Sequence, residues 1–154
     1  MTNKDKGSYR IVVIATYLAL VIVFLLRSHD IGVFKGGLQN IGLILIIIGI
    51  ILREWSIWTL GKHFNVRVQV SEEANLVTKG PYKNIRHPAY TGILLTFLGI
   101  PLAIGSWLGV VIALILKLSA IEYRIRVEED ALEEAFGSQY EEYKKRTWKL
   151  FPGY

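Results

Sequence analysis

Residues 38–60 read LQNIGLILIIIGIILREWSIWTL, the longest nearly uninterrupted apolar run in the chain. Apart from a few neutral polar groups, only the adjacent Arg53 and Glu54 break it. A helix that crosses a bilayer needs about 20 predominantly apolar residues. This run is long enough without help from its flanks, so it predicts a transmembrane helix.

Three further apolar blocks lie at residues 11–26, 90–104 and 107–121, and each needs flanking residues to cross a bilayer. Of the 154 residues, 52% are hydrophobic and only 20% are charged, which favours a membrane class over a soluble domain. The first block has a basic start like that of a signal peptide, but no small-residue cleavage site follows, so we interpret it as a retained helix. We predict one all-α integral membrane domain over residues 1–154, with transmembrane helices at about 9–27, 38–60, 88–104 and 107–123, a loop at 61–87 and a tail at 124–154.

The lysines and arginines predict the orientation of these helices. Of the 18 in the chain, 14 fall in segments 1–10, 61–89 and 122–154, and two fall in segment 27–37. Basic segments stay on the cytoplasmic side of a membrane. Both termini and the loop 61–87 are therefore predicted to be cytoplasmic, on the same face. The spacing of Ile125, Leu132 and Phe136 predicts that the fourth helix continues past the membrane as an amphipathic helix, which Gly137 would end.

The segment GPYKNIRHPAYTG, residues 80–92, carries the densest group of functional side chains. Proline favours the first position of a helix, so Pro88 predicts a helix start with His87 at its N-cap. Such a start attracts an anion, and Arg86 adds a forked cationic donor beside it. Tyr82 and Tyr90 are candidates to contact a ligand, and Gly92 would let another group approach closely. The alternative is that Arg86 binds a lipid phosphate and His87 merely caps the helix.

Two other groups of charged residues are candidates. Arg53 and Glu54 lie roughly 10 Å inside the cytoplasmic end of the second helix, where charge is costly unless it pairs, snorkels or lines a cavity. Glu128 and Glu129 lie on or beside the apolar stripe of the fourth helix, so at least one should face the protein, although a solvated helix face would also account for them. The chain has no cysteine, and its three histidines have no metal-ligand spacing, so no metal site is predicted.

These motifs together resemble the isoprenylcysteine carboxyl methyltransferase family. The matching residues are Gly80-Pro81-Tyr82, then Arg86-His87-Pro88-Ala89-Tyr90-Thr91-Gly92, then Glu128-Glu129, then Phe136-Gly137 followed by Tyr140 and Tyr143. The resemblance covers about residues 40–152 in two separated blocks, which makes it specific, and the chain is similar to the short prokaryotic members.

The resemblance implies S-adenosylmethionine as the methyl donor and an active site at the cytoplasmic face of a prokaryotic plasma membrane. It implies a hydrophobic or lipid-like acceptor, either prenylcysteine-like or a small molecule, that offers a carboxylate or another oxygen nucleophile. A membrane lipid is a predicted partner, nucleic acid is not, and the oligomeric state stays open. By analogy, the cofactor-binding residues are Tyr82, His87, Pro88, Tyr90, Gly92 and Glu128, and the catalytic residues are Arg53, Arg86, Arg126 and Glu129.

Two alternatives remain at the level of the sequence. Related membrane methyltransferases act on phospholipid amines, so N-methylation of a phospholipid or another amine is one. The other is a small proton-coupled transporter subunit that uses Glu54 as its proton carrier, although it leaves the segment Arg86–Gly92 and the charged tail without a role. Sterol reductases share a similar motif but are much longer.

Overall fold

The computed structural model describes residue 5 and residues 7–61 and 76–154. These residues form five α-helices, α1 (Ser8–Ser28), α2 (Leu38–Leu60), α3 (Pro88–Ala103), α4 (Trp107–Phe136) and α5 (Ser138–Lys145). A short 3₁₀ helix, Gly80–Lys83, precedes α3. No strand occurs in these ranges, so the all-α prediction is confirmed for them. Most of the predicted loop 61–87 lies outside the described residues.

The ends of α3 and α4 follow from local sequence. Pro88 occupies the first turn of α3, where its missing N–H costs nothing. The Ser106 side chain caps α4 by accepting a hydrogen bond from the Gly109 N–H at 3.1 Å. Gly137 ends α4 with φ of 52°, a left-handed conformation that favours glycine. The predicted fourth transmembrane helix and its predicted amphipathic continuation thus form one unbroken helix, α4, of 30 residues.

Helices α2 and α3 pack against each other in antiparallel directions through glycines. Gly42 faces Gly99, and Gly49 faces Gly92. A Cβ at Gly92 would lie 2.5 Å from the Gly49 carbonyl oxygen, and one at Gly99 would lie 2.6 Å from that of Gly42. The two backbones therefore touch over two turns, a packing mode typical of helices in membranes.

Helix α4 packs against both α1 and α3. The buried Lys117 of α4 donates a hydrogen bond to Thr16 Oγ1 of α1 at 2.7 Å, and its Nζ lies 4.3 Å from the ring centroid of Phe97 of α3. The Lys117 side chain thus links α4 to both α1 and α3.

The connections gather at two opposite ends of the molecule. At one end, the Phe34 N–H donates to the Gly105 carbonyl at 2.8 Å and the Trp107 N–H donates to the Gly32 carbonyl at 3.0 Å. At the other end lie the start of α1, the start of α3, the middle of α4 and the C-terminal segment 146–154. The candidate site is at this second end.

Two described helices, α1 and α2, are long and apolar enough to cross a membrane, with mean hydropathies of 2.5 and 2.0. Only 11% and 17% of their most apolar stretches are buried inside the protein. Outward-facing apolar side chains such as Phe24 and Ile51 fit contact with lipid better than contact with water. Helix α3, with 16 residues, is shorter.

Candidate active site

The start of α3 is fixed by the segment before it. Gly80 has φ of 59°, and the 3₁₀ helix that begins there places Tyr82 in a buried position. The Tyr143 hydroxyl of α5 donates to the Tyr82 carbonyl at 2.6 Å. Pro88 is fully buried. Burial and the nearby Glu128 carboxylate raise the pKa of the Tyr82 phenol, which therefore stays protonated.

The C-terminal segment holds the backbone on both sides of this start. The Arg86 N–H donates to the Trp148 carbonyl at 2.8 Å, and the His87 N–H donates to the Lys149 carbonyl at 3.1 Å. One turn later, the Thr91 hydroxyl donates to the Leu150 carbonyl at 2.7 Å. His87 is thereby fixed through main-chain groups that a side-chain pattern does not reveal.

One carboxylate oxygen of Glu129 contacts three other side chains. Its Oε1 accepts a hydrogen bond from Arg86 Nε at 3.0 Å and one from the Tyr140 hydroxyl at 3.3 Å, and it lies 3.1 Å from His87 Nε2. Arg86 also donates to the carbonyls of Thr147, at 2.5 Å, and Lys144, at 3.2 Å. This arrangement joins α3, α4 and α5 around one carboxylate.

The protonation of this cluster follows from its contacts. Burial alone would raise the pKa of Glu129, but the hydrogen bonds and charges of His87 and Arg86 outweigh it and lower that pKa to about 2. Burial and the Glu129 carboxylate raise the pKa of Tyr140. Glu129 is therefore an anion and Tyr140 a hydrogen-bond donor at neutral pH.

Glu128 forms a second cluster on the other side of His87. Its Oε1 accepts from the Tyr90 hydroxyl at 2.5 Å and from Arg124 Nε at 3.0 Å. Its Oε2 lies 3.7 Å from His87 Nδ1. The imidazole of His87, 6% exposed, thus sits between two carboxylates.

The structure brings together most of the predicted site residues. Those at the two clusters are Tyr82, Arg86, His87, Pro88, Tyr90, Glu128 and Glu129. Gly92 lies one turn beyond them, and the group that approaches it closely is the α2 backbone at Gly49 and Arg53. The cofactor role assigned to Gly92 stays a prediction.

Two predicted arginines lie outside the clusters. Arg53 is half-buried on α2 beside Gly92 and has no hydrogen bond or ion pair within the described ranges. Arg126 is exposed on α4 and, with Leu118, Ser119, Glu122 and Tyr123, lines an open groove of about 370 Å³. Because residues two apart on a helix point about 200° away from each other, Arg126 cannot share a face with Arg124 and Glu128.

Several contributors to the site were given no role from the sequence. Arg124 stands four residues before Glu128, a spacing that signals a same-face pair. Tyr140 belongs to a matched motif. Asp5 and the carbonyls of Thr147–Lys149 carry no recognisable pattern, since they reach the site only through the tertiary fold.

Comparisons with known proteins relate this chain to a family. A sequence model of the Isoprenylcysteine carboxyl methyltransferase (ICMT) family matches residues 42–134. The chain is 33% identical over 137 residues to Protein-S-isoprenylcysteine O-methyltransferase B of Arabidopsis thaliana, covering 84% of this chain and 70% of that protein. It is 34% identical over 95 residues to the uncharacterized protein YpbQ of Bacillus subtilis, covering 61% and 56%.

A solved structure has the same fold. The eukaryotic intramembrane Ras methyltransferase ICMT superposes with a TM-score of 0.77 at 30% identity, covering 92% of this chain and 52% of that one. The chain therefore spans about half the length of this relative.

The described residues form a helical fold with apolar outward faces, their motifs gather at one end, and the chain superposes on a solved membrane methyltransferase. The chain belongs to the isoprenylcysteine carboxyl methyltransferase family, as the match over residues 42–134 and the similarity to the Arabidopsis relative establish. The predicted resemblance is confirmed. The transporter alternative is not favoured, and Glu54, its proposed proton carrier, is exposed on α2.

Proposed function

We propose that this protein transfers the methyl group of S-adenosylmethionine to an oxygen nucleophile, a carboxylate above all, of a hydrophobic prenylcysteine-like acceptor. The observation that carries the proposal is the position of His87 between Glu128 and Glu129, with Arg86 and Tyr90 bound to the same two carboxylates. These contacts join the two sequence blocks that define the family.

The residues present fit this cofactor, which carries a sulfonium, an ammonium, a carboxylate and ribose hydroxyls. Glu128 Oε2 lies 3.7 Å from its nearest ionic partner, and the side chain is 22% exposed, so this oxygen can accept a hydrogen bond from an ammonium or a hydroxyl. Helix α3 has no side-chain cap, and its positive end suits a carboxylate. Tyr82, His87, Pro88 and Tyr90 would complete the binding surface.

When bound, S-adenosylmethionine supplies an electrophilic methyl group, so the chain has to align an ionised oxygen and exclude water from it. Arg86 donates hydrogen bonds to Glu129 and to two carbonyls, so it stabilises the arrangement of the site. Arg53, half-buried on the adjacent α2, is the cation that suits an anionic acceptor oxygen. Arg126 lies on a different face and suits the charged end of an acceptor or lipid in the groove that it lines.

The same proposal includes a topology. Helices α1, α2 and α3 and the first half of α4 would each cross the membrane, within one domain over residues 1–154. The site would face the cytoplasm of a prokaryotic cell. Three facts support this: the excess of basic residues at the site end among the residues that the structure describes, the α2–α3 contact from Gly42–Gly99 to Gly49–Gly92, and the meeting of both chain connections at the opposite end.

Calorimetric titration of S-adenosylmethionine into the detergent-solubilised protein tests cofactor binding. We expect saturable binding that weakens at least about tenfold in His87→Ala, because the imidazole that contacts both carboxylates is lost. His29→Ala, which changes an exposed histidine at the opposite end, should bind like the wild type. A folded wild-type protein that binds no S-adenosylmethionine would reject the proposal.

The acceptor is tested with methyl-labelled cofactor and two acceptors, a farnesylated cysteine and an amino phospholipid. A carboxyl methyl ester releases labelled methanol in base, whereas an N-methyl group does not. Base-labile label on the farnesylated cysteine is the expected result. Base-stable label on the phospholipid would replace this proposal with N-methylation.

A further inference from the structure

The Arg124 guanidinium connects the start of α1 to the candidate site. Its Nε donates to Glu128 Oε1 at 3.0 Å and to the Tyr90 hydroxyl at 3.1 Å. Its Nη1 points the other way, to Asp5 Oδ1 and to Ser8 Oγ at 2.7 Å. The Arg124 side chain is only 4% exposed, so these partners replace water around its charge.

Asp5 is built into the start of α1 by its own contacts. Its Oδ1 accepts from the Ser8 hydroxyl at 3.2 Å, and its Oδ2 accepts from the Tyr9 N–H at 3.3 Å. Its carbonyl accepts from the Ser8 N–H at 2.8 Å. The carboxylate thus caps the first turn of α1 while it pairs with an arginine 119 residues away.

Sharing Arg124 between two acids has a consequence for Glu128. A guanidinium can bind a single carboxylate through two parallel N–H donors. With Asp5 and Ser8 on Nη1, the guanidinium is held so that its Nε meets Oε1 of Glu128. The second oxygen, Oε2, lies on the side of His87.

We propose that Asp5 is a positioning residue, which rests on the proposed function because it acts on the cofactor-binding Glu128. By engaging Arg124 Nη1, it fixes the rotation of the guanidinium so that Nε meets a single oxygen of Glu128. Without Asp5, the buried guanidinium would turn so that Nε and the neighbouring Nη2 both meet Glu128, which would draw Oε2 away from His87 and the cofactor. Asp5 lies outside residues 42–134, the part that matches the family, so this contribution comes from the chain's own N-terminal segment.

The test compares the affinity for S-adenosylmethionine of Asp5→Asn, Arg124→Gln and the double variant, measured by calorimetry. We expect Asp5→Asn to weaken binding about tenfold, and to have no further effect in the Arg124→Gln background, because it acts only through Arg124. Asp30→Asn is the matched control, since it removes an exposed ion pair with Arg27 at the other end of α1. It should bind like the wild type.

Two further variants keep the test decisive if Asp5→Asn does not fold. Ser8→Ala removes the second acceptor of Nη1 and should weaken binding by a smaller factor, and Asp5→Glu, which keeps the carboxylate, should retain more affinity than Asp5→Asn. Unchanged affinity in every folded Asp5 and Ser8 variant would overturn this inference alone. Effects of Asp5→Asn that simply add to those of Arg124→Gln would also overturn it. Absence of binding by the wild type would instead reject the proposed function.

Discussion

At the scale of single residues, the two adjacent glutamates of α4 have different surroundings. Glu129 is 13% exposed and meets Arg86, His87 and Tyr140 through one oxygen. Glu128 is more exposed, at 22%, and keeps one oxygen with a single, longer contact. Glu129 thus has the more complete set of protein partners, and Glu128 keeps the more accessible oxygen.

The low pKa of Glu129 predicts a pH dependence of stability. Because the folded pKa, about 2, lies below the ordinary value of 4.5, the ionised form stabilises the fold above pH 4.5, and this stabilisation is lost as the pH falls toward 2. The difference between the two pKa values corresponds to at most about 3 kcal/mol. Glu129→Gln should therefore lower the unfolding temperature at neutral pH and flatten its decline between pH 4.5 and 2.

Thermal unfolding in detergent across this pH range measures the effect. Glu142→Gln, which changes an exposed glutamate of α5, should follow the wild-type curve. An unchanged curve for Glu129→Gln would mean that its contacts contribute nothing to the stability of the fold.

At the scale of elements, the contact between α2 and α3 places Arg53 beside the site. A Cβ at Gly49 would lie 2.5 Å from Thr96 Oγ1 and 2.6 Å from the Gly92 carbonyl oxygen. The Gly92 carbonyl belongs to the α3 backbone, which leaves little room for adjustment. Even one methyl group should push the helices apart and shift Arg53 away from the start of α3.

Gly49→Ala should accordingly destabilise the protein by about 1–3 kcal/mol, since overpacking outweighs the better helix propensity of alanine. The matched control is Gly37→Ala, at a helical φ of −64° where a Cβ meets nothing within 4 Å. Thermal unfolding of both variants in detergent gives the comparison. Equal stability of Gly49→Ala and the wild type would contradict a backbone contact at this point.

At the scale of the whole molecule, the helix connections meet at one end, and the chain's terminal segments meet the site at the other. The α1–α2 connection meets the α3–α4 turn, while the start of α1 meets α4 near Glu128 and the C-terminal segment meets the start of α3. The start of α1 and the C-terminal segment therefore lie at the same end, which is what two cytoplasmic termini require.

This arrangement predicts which positions a membrane-impermeant thiol reagent reaches. The chain has no cysteine, so the thiol reagent can label only the cysteine that each substitution introduces. Lys35→Cys, exposed in the α1–α2 connection, should label in intact cells. Lys145→Cys, exposed at the end of α5, should label only after the membrane is permeabilised. The reverse pattern would invert the proposed topology, and equal labelling of both would reject the odd number of crossings, three, that is proposed between the two positions.

The local sequence specified most of the helices. The apolar run 38–60 is α2 to the residue, Pro88 begins α3, and Gly137 ends α4. These features depend on hydrophobic length, on the missing N–H of proline and on the free φ of glycine, all of which act within a few residues. The matched motifs also named His87, Arg86 and the glutamate pair, because the same residue types recur at the same spacing in the family.

The tertiary fold alone set the partners of these side chains. It assigned Arg86 to Glu129 and Tyr90 to Glu128, and it brought Asp5 to Arg124. Each assignment depends on how one helix is rotated against another, and a step of one residue turns a side chain by about 100°. Contacts between residues 38 to 119 positions apart follow from that rotation and from main-chain carbonyls, neither of which is written in local spacing.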